Sequence, residues 1–183
     1  MRHDRGPGSN QYAAKPRTRY GAGVKVNVPE EYLAHLWDMI SDPNATEDSL
    51  RLIVDEDSGM ISAVLISGGV SPSMLGSLAD HPEAHVRRAV SNDVRTPAEA
   101  LGRMSADPDT YVRCNVAGHP ATEPAVLASM GNDSAPAVVY QVATNPHTPV
   151  RTLHQISLGR DPVAAIAADS TLTSILEASG HDD

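Results

Sequence analysis

Phenylalanine is absent from this 183-residue chain, and five tyrosines with one tryptophan are its only aromatic residues. A core without large rings must be built from Leu, Val, Ile, Met and Ala, which suits thin helical layers in close contact. A single cysteine, Cys114, excludes an intrachain disulfide and gives no sign of an oxidising compartment. No run approaches about eighteen apolar residues, and the first thirty residues lack an apolar signal core, so neither a membrane span nor secretion is expected and the cytoplasm is the default. Lysine is nearly missing as well: Lys15 and Lys25 are the only two, and both lie near the amino terminus.

What the chain has is a 26-residue period. Leu75, Leu101, Leu127 and Leu153 are evenly spaced, and Val86, Val112 and Val138 follow at the same interval. A unit of this size cannot bury its apolar face alone and must lean on its neighbours. Looser copies flank the three clear ones, as expected of end units with only one neighbour.

Within each unit the punctuation is helical. Thr96-Pro97, Thr122-Glu123-Pro124 and Thr148-Pro149 read as a capping hydroxyl ahead of an early helical proline. Leu101 with Met104, Leu127 with Met130 and Leu153 with Ile156 then form an i, i+3 stripe on a helix short enough to be 3₁₀. Asp107-Pro108 and Asp161-Pro162, with His81-Pro82 and Asp133 to Pro136 as variants, open a second helix. Its stripe is Val86 and Val90, Val112 and Val116, or Val138 and Val142. No run alternates with period two. The fold class expected is all-α: a solenoid of about five two-helix repeats over residues 46–178, ending in a short tail at 179–183.

The recurring order Asp-Pro, Val-Arg and Thr-Pro, seen from Met104 to Thr122 and from Leu78 to Pro97, resembles the leucine-rich repeat variant of bacterial proteins and shades into HEAT-like repeats. The resemblance covers residues 50 to about 178 and implies a right-handed superhelix of alternating α and 3₁₀ or short α helices. The best-known member of that family carries an iron–sulfur cluster on a cysteine-rich segment. With Cys114 alone, four-thiolate ligation within one chain is excluded here, and no cofactor is expected.

Charge is divided unevenly. Residues 1–25 hold Arg2, Arg5, Lys15, Arg17, Arg19 and Lys25 against Asp4, a net +5, whereas the rest holds eight arginines against 22 acids, a net −14. The arm is rich in glycine and proline and is expected to lack fixed structure. Its readings are a solvated tail, an anion-binding arm that contacts nucleic-acid phosphates, or a strap on an acidic face of its own or a neighbouring subunit. Between arm and repeats, residues 29–41 form an amphipathic helix with Leu33, Leu36, Trp37 and Ile40 on one side. Capping the first repeat is its expected task, with Trp37 the residue that could anchor a partner.

Candidates for chemistry each have a plainer explanation. His81 and His85 stand four apart, as zinc ligands can, yet no third ligand follows and His81 fills the slot of Asp107 in the next repeat. His119 aligns with Asp93 and Asn145 in a turn, and no Ser/His/Asp set can be assembled, so neither a metal site nor a catalytic residue is expected. The positions singled out for a partner follow the first valine of each second helix: Arg87 and Arg88, Arg113 and Cys114, Val139 and Tyr140, Ala164 and Ala165. Stacking lines them up in a row that grades from basic to apolar. The competing account pairs these arginines with Asp80, Asp107 or Asp109 of an adjoining unit.

The function expected is a non-enzymatic protein–protein scaffold, with self-association among its options. One alternative is a nucleic-acid protein, either of the HEAT-like DNA glycosylase type or binding through the arm. The charge of −14 opposes phosphate binding by the repeat body. The other alternative is an acidic decoy that blocks a partner's basic groove.

Overall fold

The structure, a computed structural model, describes residues 18–21, 24–27, 30–42, 44–67 and 69–179. It opens with a strand pair, β1 (Thr18–Gly21) and β2 (Val24–Asn27), antiparallel with Thr18 opposite Asn27 and Gly21 opposite Val24. This corrects the expectation that no strand forms and that the arm lacks structure through residue 25. The signal is in the sequence: Val24, Val26 and Val28 alternate with Lys25 and Asn27 in the period of a strand, a short run hidden in a segment whose glycine, proline and charge read as an unstructured arm.

Among the described residues after the hairpin all regular structure is helical, as the all-α fold class requires. α1 (Glu30–Ser41) precedes five helix pairs. The first pair is α2 (Glu47–Glu56) and α3 (Ile61–Ile66), joined by a 3₁₀ turn at Ser58–Met60. α4 (Pro72–Leu78) and α5 (Ala84–Ser91) follow, then α6 (Ala98–Met104) and α7 (Thr110–Gly118). α8 (Pro124–Met130) with α9 (Pro136–Thr144), and α10 (Val150–Ser157) with the long α11 (Pro162–Ser179), complete the array. The first helices of the periodic units are α-helical, so the 3₁₀ option applies only to the turn inside the first pair. α5, α7, α9 and α11 pack on one another in sequence order, while consecutive first helices approach less. The solenoid therefore has a tight layer and a looser one.

One apolar seam runs through the stack. Leu75, Leu101, Leu127 and Leu153 are fully buried, as are Val86, Val112 and Val138 on the second helices, and Ala164 continues the valine row into α11. α1 closes the amino-terminal end with Leu36 and Ile40 buried, and Leu50 beneath it is as buried as the central leucines. Close approach is also set by small residues. A Cβ on Gly131, at the end of α8, would stand 2.7 Å from the Thr152 methyl on α10.

The recurring threonines do something other than cap. The first helices start after Pro97, at Pro124 and after Pro149, and no side chain caps any of the three. Thr96, Thr122 and Thr148 are buried instead, and each hydroxyl donates to the carbonyl six residues back, on Val90, Val116 and Val142. The carbonyls at the end of an α-helix lack their regular helical partners; these three accept the turn amides of Asp93, His119 and Asn145, and each threonine adds a second bond that seals the end of the preceding second helix. Genuine hydroxyl caps are found upstream: Thr46 accepts from the Ser49 amide and Ser71 from the Met74 amide.

Thr122→Val, which keeps the shape and deletes the hydroxyl, should lower stability in urea unfolding by about 1 kcal/mol by removing one of the two hydrogen bonds that the Val116 carbonyl accepts, the other coming from the His119 amide. Leu127→Ala should cost about 2–5 kcal/mol.

Candidate partner-binding face

Adjacent residues on a helix point about 100° apart, and this separates the two members of each predicted pair. Arg87 and Arg113 turn into the seam between units. Arg87 donates from Nε to Asp107 at 2.7 Å and from Nη2 to the same carboxylate at 3.1 Å, while Nη1 donates to the carbonyls of His81 and Pro82 at 2.9 Å each. Arg113 repeats this one unit later, on Asp133 and on the carbonyls of Asp107 and Pro108. Their side chains are only 13% and 14% exposed. The ion-pair account of these two arginines is the one the geometry carries, and it takes both out of the surface row.

The substitutions across units obey the same pairing. Where the arginine position holds Ile61, the position twenty residues on holds His81, and where it holds Val139 that position holds Gly159. His81 thus sits in the Asp107 slot as a turn residue. Its Nδ1 accepts from the Glu83 amide, as the Asp107 and Asp133 carboxylates accept from the amides of Asp109 and Ala135. Burial lowers the His81 pKa, opposed by Asp55, whose carboxylate is 3.7 Å from Nε2. Among the described residues no cluster of His, Cys, Asp and Glu could hold a metal ion.

A second set of turns is tied from unit to unit. His119 Nδ1 accepts from the Ala121 amide, so the proton lies on Nε2, which donates to the Asp93 carbonyl at 3.0 Å. Asn145 does the same with an amide, accepting from His147 and donating to the carbonyls of Ala117 and His119. Asp93 instead takes Arg95, which also reaches back to the Leu65 carbonyl at 2.8 Å. Arg103 pairs with Asp80 and donates to the Gly76 carbonyl. Most arginines of the periodic units are therefore braces.

The residues left facing outward on the tight layer form the candidate site. Arg88 on α5 is half exposed, pairs with Asp109 and lies 4.7 Å from the centroid of the Tyr111 ring. Tyr111 on α7 is 68% exposed, Tyr140 on α9 is 40% exposed, and Val163 and Ile166 on α11 are exposed at 61% and 71%. Tyr111 and Ile166 are absent from the row read in the sequence. Ala164 belongs to the core as the successor of Val138, so the outward step on α11 falls on Ala165 and Ile166. Cys114 is half buried, and desolvation raises its thiol pKa, which is the opposite of an activated nucleophile. It helps line an open groove of about 320 Å³ between α5, α7 and α9, together with Asn92, Asn115, Gly118, His119 and Gln141. Trp37, on α1, is 47% exposed and stands apart from this row. Of the arm residues, Arg19 is on β1 opposite Val26 and Lys25 is on β2 opposite Tyr20. Arg2, Arg5, Lys15 and Arg17 lie outside the described residues, and of the tail expected at 179–183, Ser179 ends α11 and the rest lies outside the described residues.

Hydrogen bonds from Arg113, Arg88 and Arg95 hold the carboxyls of Asp133, Asp109 and Asp93 below their ordinary pKa. The stability they contribute is complete above the unfolded carboxylate pKa of about 4 and is lost as pH falls through the lowered values. His81 behaves alike in sign: a depressed pKa favours the folded state above about 6.5 and that share is lost as pH falls through the depressed value. Urea unfolding as a function of pH should therefore show an early loss of stability that His81→Asn abolishes, since an Asn oxygen can still accept from the Glu83 amide. A later loss should be reduced by Asp133→Asn. At neutral pH, Arg113→Met should cost about 1–3 kcal/mol by stranding Asp133, and adding Asp133→Ala should recover part of it.

Comparison with known proteins agrees with this geometry at the level of the repeat. No curated protein matches the chain. A crystal structure described as that of an engineered protein is 15% identical, covering 81% of this chain and 90% of that one, at a TM-score of 0.41. Residues 84–109, from the start of α5 through α6 to the Asp109 cap of α7, match the family model described as leucine rich repeat variant, and over that unit the resemblance read from the sequence is confirmed.

Proposed function

We propose that this protein is a non-enzymatic scaffold that holds a partner protein along the outward face of its tight helical layer. The observation that carries the reading is the strip running from Arg88 and Tyr111 through Tyr140 to Val163 and Ile166. It places an arginine on α5 and exposed aromatic and aliphatic side chains on the three second helices that follow. Exposed tyrosines with an arginine at one end are the residue types that dominate protein-binding hot spots, and a stacked array offers them at regular intervals to an extended ligand. The groove beside Cys114 adds a concave, partly polar rim to the same face.

Electrostatics favours a protein over a nucleic acid. Residues 26–183 carry −14, and Arg87, Arg88, Arg95, Arg103 and Arg113 are each paired with a carboxylate. Phosphate binding needs unpaired cations, because its affinity comes from neutralising phosphates and releasing their counterions. Among the described residues no helix is long and apolar enough to cross a membrane.

Affinity capture with the full chain, compared with a Tyr111→Ser, Tyr140→Ser, Ile166→Ser triple variant of unchanged melting temperature, tests the face. Loss of the captured proteins is expected. An unchanged set rejects it.

A further inference from the structure

The arginine ladder contains a third cradle that the chain does not fill for itself. In the first two, the guanidinium lies on two successive carbonyls, His81 and Pro82 and then Asp107 and Pro108, with a carboxylate from the next unit closing the fork. The third equivalent pair of carbonyls belongs to Asp133 and Ser134, and the residue that should reach them is Val139. A valine ends at its two methyls and donates nothing.

At this place the structure has a cavity of about 220 Å³, whose walls include Asp133, Ser134, Val139, Gly159 and Asp161. The carboxylate that closed the earlier forks is replaced by Gly159, where a Cβ would stand 2.8 Å from the Ile156 carbonyl oxygen. Asp161, two residues on, supplies a carboxylate on the same wall. Its Oδ1 accepts from the amides of Val163 and Ala164 at 2.9 and 3.2 Å, which fixes the group at the start of α11. The other charged neighbours are Asp133, already bound to Arg113, and the exposed Arg160, whose long side chain can turn to solvent.

We propose that the cavity between α9, α10 and α11 is a binding slot for an arginine side chain of a partner protein, its guanidinium taken by the Asp133 and Ser134 carbonyls and the Asp161 carboxylate. The ligand class is given by the molecule itself, since two equivalent cradles in the same array already hold guanidinium groups. A guanidinium offers five donors in a planar fork, so it can serve two carbonyls and a carboxylate at once as Arg87 and Arg113 do, whereas a compact ammonium lacks that fork. The net −14 of the body favours approach of a basic segment. Only the source of the arginine rests on the scaffold reading; the slot itself stands on the repeat comparison.

The test is an NMR titration of the full-length protein with N-acetyl-arginine methylamide, with the lysine analogue as control. Shifts are expected at the amides of Ser134, Gly159 and Asp161 with arginine and not with lysine. Val139→Arg supplies the missing side chain in cis, so it should raise the melting temperature and abolish those shifts. Asp161→Asn, which keeps an oxygen for the two amides, should weaken the response to arginine without unfolding the protein. Absence of shifts, equal shifts with lysine, or shifts that persist in a folded Val139→Arg variant would overturn the slot. None of these results bears on the triple-variant capture experiment, so failure of the slot and failure of the scaffold face are distinguishable.

Discussion

No unit of this array has a core of its own, and the structure depends on that constraint. A seven-residue first helix and an eight- or nine-residue second helix bury one leucine row and one valine row only when the next pair closes over them. Isolated helices of this length are marginal in water, so helix formation and stacking are one event. The scarcity of aromatic residues follows from the same geometry. Rows of Leu and Val with occasional Ala and Gly let the layers approach closely enough for side chains to bond from one unit to the next.

Polar bonding then decides the register between units. Buried threonines seal helix ends, the His119 and Asn145 turns hand a hydrogen bond back to the preceding unit, and Arg87 and Arg113 bridge forward to Asp107 and Asp133. A seam of methyl groups slides easily, whereas bidentate arginine–carboxylate contacts have one geometry. Because most arginines serve this purpose, little positive charge is left free on the body, and the face remaining for recognition is aromatic and aliphatic. In this way the internal ties shape what the surface can bind.

The 26-residue period makes the helix pairs and the leucine and valine rows legible from residues alone, and the apolar side of residues 29–41 does the same for the capping helix. The period does not separate Arg87 from Arg88, because a sequence shows neighbours where a helix sets them about 100° apart. Thr96, Thr122 and Thr148 look like helix caps by local rules, yet their burial comes from the neighbouring unit, which no local rule contains. On α11 the valines of the core row become Ala164 and Ala168, and alanine is too common to mark a row; hence in the sequence Ile166 does not stand out and Ala164 reads as outward-facing. Tyr111 does not stand out because it precedes the core valine, on the side where the other units hold His85 and Ala137.

Native-state hydrogen exchange across the array tests the account most directly. If each pair is completed by its neighbours, amide protection should be greatest in α6 to α9 and fall away toward α2 and the end of α11, giving a gradient in opening free energy along the solenoid. A single protection level shared by all helices, lost together in one global step with no gradient, would contradict it.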